Sequence, residues 1–203
     1  IASGAMWVDM RAVGVDVLVS APQKGWSASP CSALVMMSDN ARRAIDETIS
    51  TSFSADLKKW LQIMEAYESG GHAYHATMPT DALIKFRDAM RETEAYGLEK
   101  LRSQQIDLGT RVRQLLSDRG IKSVAAEGFQ APGVIVSYTS DANVQTGKAF
   151  VEVGLQIAAG VPLQCDEGDD FRSFRLGLFG LEKLNNVDRT VKTLQEALDK
   201  VCN

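Results

Sequence analysis

Four side chains in this sequence have types and settings that suit a site for a carbonyl compound and its anions. Lys24 follows the apolar, β-branched run Val15-Asp-Val-Leu-Val-Ser20, and Pro22 and Gly25 mark where the chain leaves that run. The pattern predicts a buried strand over 15–20 with a turn behind it. Open α/β sheets bind ligands at the carboxyl ends of their strands, which is where Lys24 is delivered. An amine held there forms an imine with a carbonyl compound. Arg175 stands in the otherwise apolar stretch Phe174-Arg-Leu-Gly-Leu. A guanidinium in such a strand needs a carboxylate or phosphate partner. Tyr74 and Thr77 supply hydroxyls able to donate to a phosphate. Each also has a plainer reading: a solvated loop lysine, a structural ion pair, a core tyrosine, a helix-capping threonine.

Two further groups carry weaker signals. His72 and His75 have the i, i+3 spacing of a metal pair, but no third ligand lies nearby in sequence, so no metal is expected. Cys165 lies in an acidic loop, Gln164-Cys-Asp-Glu-Gly, ahead of Arg175. Cys31, Cys165 and Cys202 are odd in number and widely spaced, as expected of reduced thiols in a cytoplasmic protein and not of a disulfide framework.

The elements that must position these residues follow from periodicity. Ala33 to Met37 reads as a second strand, antiparallel or adjacent to the first. The cluster Ser38-Asp-Asn is an N-cap for a short helix over 40–47. Leu57, Trp60, Leu61, Met64 and Tyr67 have helical spacing, and Ser69-Gly-Gly ends that helix. After a loop over 72–77, Pro79 opens a helical region that runs to about Asp118, with breaks expected near Gly97 and Gly109. Val124-Ala-Ala-Glu, Val134 to Tyr138 and Phe174 to Leu178 read as strands of a small sheet. One helix is expected over 143–157 and a closing amphipathic helix over 186–201.

The chain has 203 residues, 45% of them hydrophobic and 24% charged, which is enough to bury a core. The net charge of -4 argues against general binding to nucleic acid or acidic membranes. No apolar run approaches bilayer-spanning length.

The segment Ser20-Ala-Pro-Gln23-Lys24-Gly-Trp-Ser-Ala-Ser-Pro30 resembles the lysine segment of the class V pyridoxal phosphate aminotransferases, the group of alanine–glyoxylate and serine–glyoxylate (serine–pyruvate) enzymes. Ala73-Tyr-His-Ala-Thr-Met-Pro79 and Phe174-Arg-Leu-Gly-Leu-Phe-Gly180 extend the resemblance in the same order, so it covers essentially the whole chain. It implies an α/β fold, the C-terminal part of a fold type I aminotransferase. A large-domain portion is then expected over 1–90, and a linking helix with a small α+β domain over 91–203. The pyridine-pairing aspartate of the family would lie just before Ile1.

The resemblance also assigns roles. Lys24 binds pyridoxal 5′-phosphate as a Schiff base and then moves the substrate α-proton, Gln23 lies by the cofactor phosphate, and Ile1 packs on the pyridine ring. Tyr74 and Thr77 reach the phosphate in the neighbouring subunit of a homodimer with shared sites, and Arg175 grips the substrate carboxylate. Small amino acids and keto acids are the expected substrates: an amino group passes from alanine or serine to glyoxylate or pyruvate by a ping-pong mechanism. The alternatives are an aminophosphonate transaminase, a cysteine desulfurase-like lyase using Cys165, or a chain without catalytic function. Gln23, where desulfurases usually carry histidine, favours the aminotransferase.

Overall fold

Among the described elements α5 (Leu98–Ser117) carries the most buried residues, and the fold is built on their burial. The computed structural model describes residues 3–202; Ile1 lies outside the described residues. The elements run α1 (Met10–Val13), β1 (Val17–Ser20), β2 (Leu34–Met37), α2 (Asp39–Asp46), α3 (Leu57–Glu68), α4 (Thr80–Tyr96), α5, β3 (Val134–Tyr138), α6 (Ala142–Thr146), α7 (Lys148–Glu152), β4 (Ala158–Ala159), β5 (Ser173–Gly177), α8 (Leu181–Leu184) and α9 (Val187–Val201). This is an α/β chain with two separate sheets.

Leu101, Leu108, Val112 and Leu116 fall on one face of α5 and are fully or almost fully buried. They meet Ile135 of β3, Phe174 and Leu176 of β5, and Leu194 and Leu198 of α9 in one core cluster. Each fully buried side chain of this size contributes roughly 1.5–3 kcal/mol. The sheet they cover is antiparallel, in the order β3-β5-β4, so β5 is central and pairs on both edges. Ala5, wholly buried, joins the same cluster, and Arg102 of α5 stacks over the Trp7 ring at 5.0 Å. The chain before β1 is thereby laid along α5.

The helix signals in the sequence hold at their ends. Ser38 caps α2 by accepting from the Ala41 N–H, and Asp56 caps α3 by accepting from the Lys59 N–H. α4 stops at Gly97, whose φ of 105° lies in the left-handed region. The break expected at Gly109 does not occur, and α5 runs straight through it. That glycine serves packing: a Cβ there would lie 2.6 Å from the Pro132 carbonyl oxygen and 2.8 Å from the Pro132 Cα. Only a residue without a side chain lets α5 approach the chain entering β3 so closely.

Three expectations are corrected. Val124 to Glu127 forms no strand. Its pairing with β3 is limited to a bridge between Ser123 and Ser137, after which the Ala126–Phe129 turn takes over. Arg113 helps hold that detour, donating to Ala131 O at 2.7 Å and to Ser123 Oγ at 3.3 Å. The single helix expected over 143–157 is two short ones, separated by Gly147 at φ 81°, followed by β4. β1 and β2 do pair antiparallel, with Val19 opposite Val35, but β1 is not buried. Val17 and Val19 are 45% and 58% exposed, because the two-stranded sheet has no layer over that face among the described residues.

Gly109 gives the first test. Gly109→Ala is expected to destabilise the protein by about 1–3 kcal/mol, because the clash is with backbone that has no rotamer to yield. Gly177→Ala, with open space at its Cβ, is expected to change stability by less than about 0.5 kcal/mol. Urea denaturation of the two variants checks both.

Candidate functional site

Lys24 sits at the crest of a braced turn behind β1. Pro22 and Gly25 are buried on either side of it, while Gln23 and Lys24 are exposed. Within the turn the Ser27 N–H donates to Lys24 O at 3.0 Å and the Ala28 N–H donates to Pro22 O at 3.1 Å. Its base is tied down by side chains distant in sequence. The Trp26 indole N–H donates to Ser3 Oγ at 3.0 Å, and the Ser3 and Ser20 hydroxyls lie 2.6 Å apart. Ser20 is the last residue of β1, so the network joins the strand end, the turn and the chain before α1. Trp26 also packs edge-to-face on Phe86 of α4, with centroids 6.2 Å apart. Gly4 is required beneath it, since a Cβ there would come within 3.0 Å of the indole ring. The backbone carrying Lys24 is fixed, and its amine has no hydrogen-bond partner among the described residues.

Arg175 lies in the middle of the central strand, opposite Val136 on one side and Ala158 on the other. Its Nε–H donates to Ala159 O at 2.9 Å. That bond fixes the plane of the guanidinium, and no carboxylate among the described residues pairs with its two terminal nitrogens. An oriented guanidinium with a free fork is suited to a carboxylate from outside.

The exit from β5 returns to the lysine turn. Gly180 has φ 108°, and a Cβ there would meet Ser27 Oγ at 2.5 Å. The Ser27 side chain of the turn carrying Lys24 therefore lies against the Gly180 backbone in the loop following Arg175, a relation that no local sequence signal announces.

Tyr74 and Thr77 lie in the loop between α3 and α4. Tyr74 is 70% exposed, and its hydroxyl is 3.1 Å from Thr77 Oγ1. The two hydroxyls form one polar pair facing outward. The histidines beside them are structural. His75 stacks on Phe53 and Trp60, at centroid distances of 4.2 and 5.1 Å, with Nε2 3.0 Å from Phe53 O. His72 packs edge-on against Tyr67. No three potential metal ligands cluster among the described residues.

Cys165 is exposed. Desolvation and then the neighbouring Glu167 carboxylate push its thiol above the ordinary value, away from the reactive thiolate. The same loop binds its own anion. The Glu167 carboxylate accepts from the backbone N–H groups of Cys165 and Gln164, each at 2.8 Å, and from that of Leu163. These bonds, that from Cys165 foremost, hold its pKa down at about 2. Gln164 and Asp166 pay for this geometry with φ of 59° and 64°.

No protein-family model matches the chain. The alanine–glyoxylate aminotransferase of Felis catus is 25% identical over 193 residues, covering 92% of this chain and 45% of the relative. The soluble hydrogenase small subunit of a Synechococcus strain is 23% identical over 198 residues, covering 98% of this chain and 48% of that one. Homologues of this chain are alanine–glyoxylate aminotransferases. The crystal structure of such an aminotransferase from Nostoc sp. superimposes over 100% of this chain and 52% of its own, with TM-score 0.78 and 22% identity. The fold is that of half a pyridoxal phosphate fold type I aminotransferase. The chain spans about half the length of the aminotransferases it matches. No helix among the described residues is long and apolar enough to cross a membrane.

The Glu167 clamp titrates in a defined direction. Its folded-state pKa lies below the unfolded value of about 4.3, so its stabilisation is full above that pH and is lost as pH falls through about 2. A carbon-detected titration of the Glu167 carboxyl is expected to show a midpoint near 2. Glu167→Gln is expected to speed amide exchange at Gln164 and Cys165. A midpoint near the ordinary glutamate value would remove the clamp.

Proposed function

We propose that this chain is part of a pyridoxal phosphate-dependent aminotransferase that takes an amino group from alanine or serine and delivers it to glyoxylate or pyruvate in a ping-pong cycle. The observation that carries this reading is the contact between Gly180 and Ser27, which brings the exit of the arginine strand against the turn that presents Lys24. An exposed amine, an oriented guanidinium with a free fork and an outward hydroxyl pair fit an aldehyde cofactor bearing a phosphate and a substrate bearing a carboxylate. The relatives' names support the alanine and glyoxylate pairing.

When bound, the cofactor supplies the electron sink that stabilises negative charge at the substrate α-carbon. The chain's own residues do the rest. Lys24 would hold the cofactor through its amine, and its Nζ would serve as the base that takes the substrate α-proton and returns it. The braced turn keeps that nitrogen in place while the side chain swings. Arg175 holds the substrate carboxylate with its two terminal nitrogens, and Ala159 O keeps the fork in plane. Gln23 would lie by the cofactor phosphate.

Tyr74 and Thr77 would supply hydroxyl donors to the cofactor phosphate of a second subunit, which would make the working unit a homodimer. Their exposure and mutual contact support this placement. The division into a large-domain portion over 1–90 and a smaller domain over 91–203 belongs to the same reading. Its boundary falls within α4, which would be a rigid connection between the two.

Borohydride reduction in the presence of pyridoxal phosphate, followed by peptide mass mapping, tests the role of Lys24. A phosphopyridoxyl group on Lys24 is expected, and Lys24→Ala is expected to lose both the adduct and transamination. An adduct elsewhere, or turnover by Lys24→Ala, would remove Lys24 from the mechanism. Arg175→Ala is expected to raise KM for α-carboxylate substrates on the order of a hundredfold, the size of a lost two-pronged charged contact. Unchanged steady-state kinetics would make Arg175 a structural residue.

A further inference from the structure

The buried face of α5 has one member that hydrophobicity does not explain. Between Leu101 and Leu108 stands Gln105, which is 0% exposed. A glutamine there gives up water and rotamer freedom that a leucine would not. In exchange its Nε2 donates to Pro132 O at 3.1 Å and to Leu178 O at a longer 3.4 Å. Its Oε1 has no hydrogen-bond partner among the described residues. Two carbonyls facing one donor set the orientation of the amide, since the flipped side chain would place three acceptors together.

The two carbonyls lie at one corner of the fold. Pro132 enters β3 and Leu178 leaves β5, and the Leu178 N–H donates back to Gly133 O at 2.9 Å. Side chains are excluded around them: a Cβ on Gly133 would come within 2.4 Å of the Phe179 ring. Phe179 leads directly to Gly180, which backs onto Ser27, and the Ser27 N–H is bonded to Lys24 O. In the other direction, Arg175 lies three residues before Leu178 on the strand. One buried amide thus holds the short segment that joins the arginine strand to the lysine turn.

We propose that Gln105 is a positioning residue which, by clamping the β5 exit to α5, sets the spacing between the Lys24 amine and the Arg175 guanidinium. It touches neither cofactor nor substrate. Its effect on catalysis rests on the aminotransferase reading above, whereas its effect on the lysine turn does not. A purely structural Gln105 would lower stability and nothing else.

Gln105→Met keeps the length and removes the donor. Leu108→Ala, on the same face and outside the clamp, serves as a control for lost stability. In the cofactor-loaded protein, Gln105→Met is expected to raise KM for both the amino acid and the keto acid about tenfold, the size of one lost buried hydrogen bond. The lysine-bound cofactor absorbance and kcat are expected to stay near wild type. A KM no more than about twofold above that of Leu108→Ala would overturn the proposal.

A second readout does not depend on turnover. In a Trp7→Phe, Trp60→Phe background Trp26 reports on the lysine turn, and Gln105→Met is expected to increase its quenching by acrylamide relative to Leu108→Ala. If wild type shows neither turnover nor a lysine-bound chromophore, the aminotransferase reading fails, and Trp26 quenching alone decides on Gln105. Equal quenching in the two variants then overturns the clamp. If Gln105→Met does not fold, Gln105→Asn carries the same measurements with the donor retained but drawn back by one methylene, and wild-type values in both readouts overturn the proposal.

Discussion

Close approach of backbone to backbone around α5 is the constraint on which the rest of this structure depends. The helix buries a leucine and valine face on a three-stranded antiparallel sheet, and at Gly109 it comes so near Pro132 that no side chain fits between. That distance places the start of β3. The pairing of Ser137 with Phe174 and of Ile135 with Leu176 then places β5, and β5 carries Arg175 at its centre. Apolar burial supplies most of the free energy here, but it is indifferent to small shifts of one element along another. The glycines and the buried Gln105 amide are directional, and they define the register that burial leaves open.

The lysine turn is held by a different kind of interaction. β1 belongs to a two-stranded sheet with Val17 and Val19 exposed, so apolar packing is a weak anchor for its far end. A short polar network through Ser3, Ser20 and Trp26, together with the edge contact of Trp26 on Phe86, takes over that task. The result is a braced backbone beneath an amine without a hydrogen-bond partner among the described residues. Arg175 shows the same division: one hydrogen bond to Ala159 O orients the guanidinium, and the remaining donors are open.

Relatedness and geometry bear on different parts of the functional reading. Homology to alanine–glyoxylate aminotransferases and the shared fold identify the scaffold on which Lys24 and Arg175 sit. The contact of Gly180 with Ser27 gives the proposed roles of those two residues a physical basis in this chain. The chemistry of the loop before β5 points the same way. Cys165 is exposed but its thiol is held in the less reactive protonated form, which does not favour a sulfur-transfer reading.

Much of this was legible in the sequence. Helical spacing located α3 and α9, the Ser38 cluster located the start of α2, and Pro79 and Gly97 bounded α4, because these signals act within a few residues of where they are written. The lysine turn and the arginine strand were legible as motifs. Tertiary contacts decided what local pattern could not. The 124–127 stretch has strand-like residues but leaves β3 after the Ser123–Ser137 bridge, and the 143–157 stretch holds two short helices because Gly147 ends the first. Gln105 reads in sequence as an ordinary polar helix residue. Its partners lie 27 and 73 residues away, so its meaning appears only once the chain is folded. The sequence by itself determined which side chains are able to do chemistry and which elements carry them. The distances between them were decided by long-range packing, since no local interaction energy encodes the separation of residues so far apart along the chain.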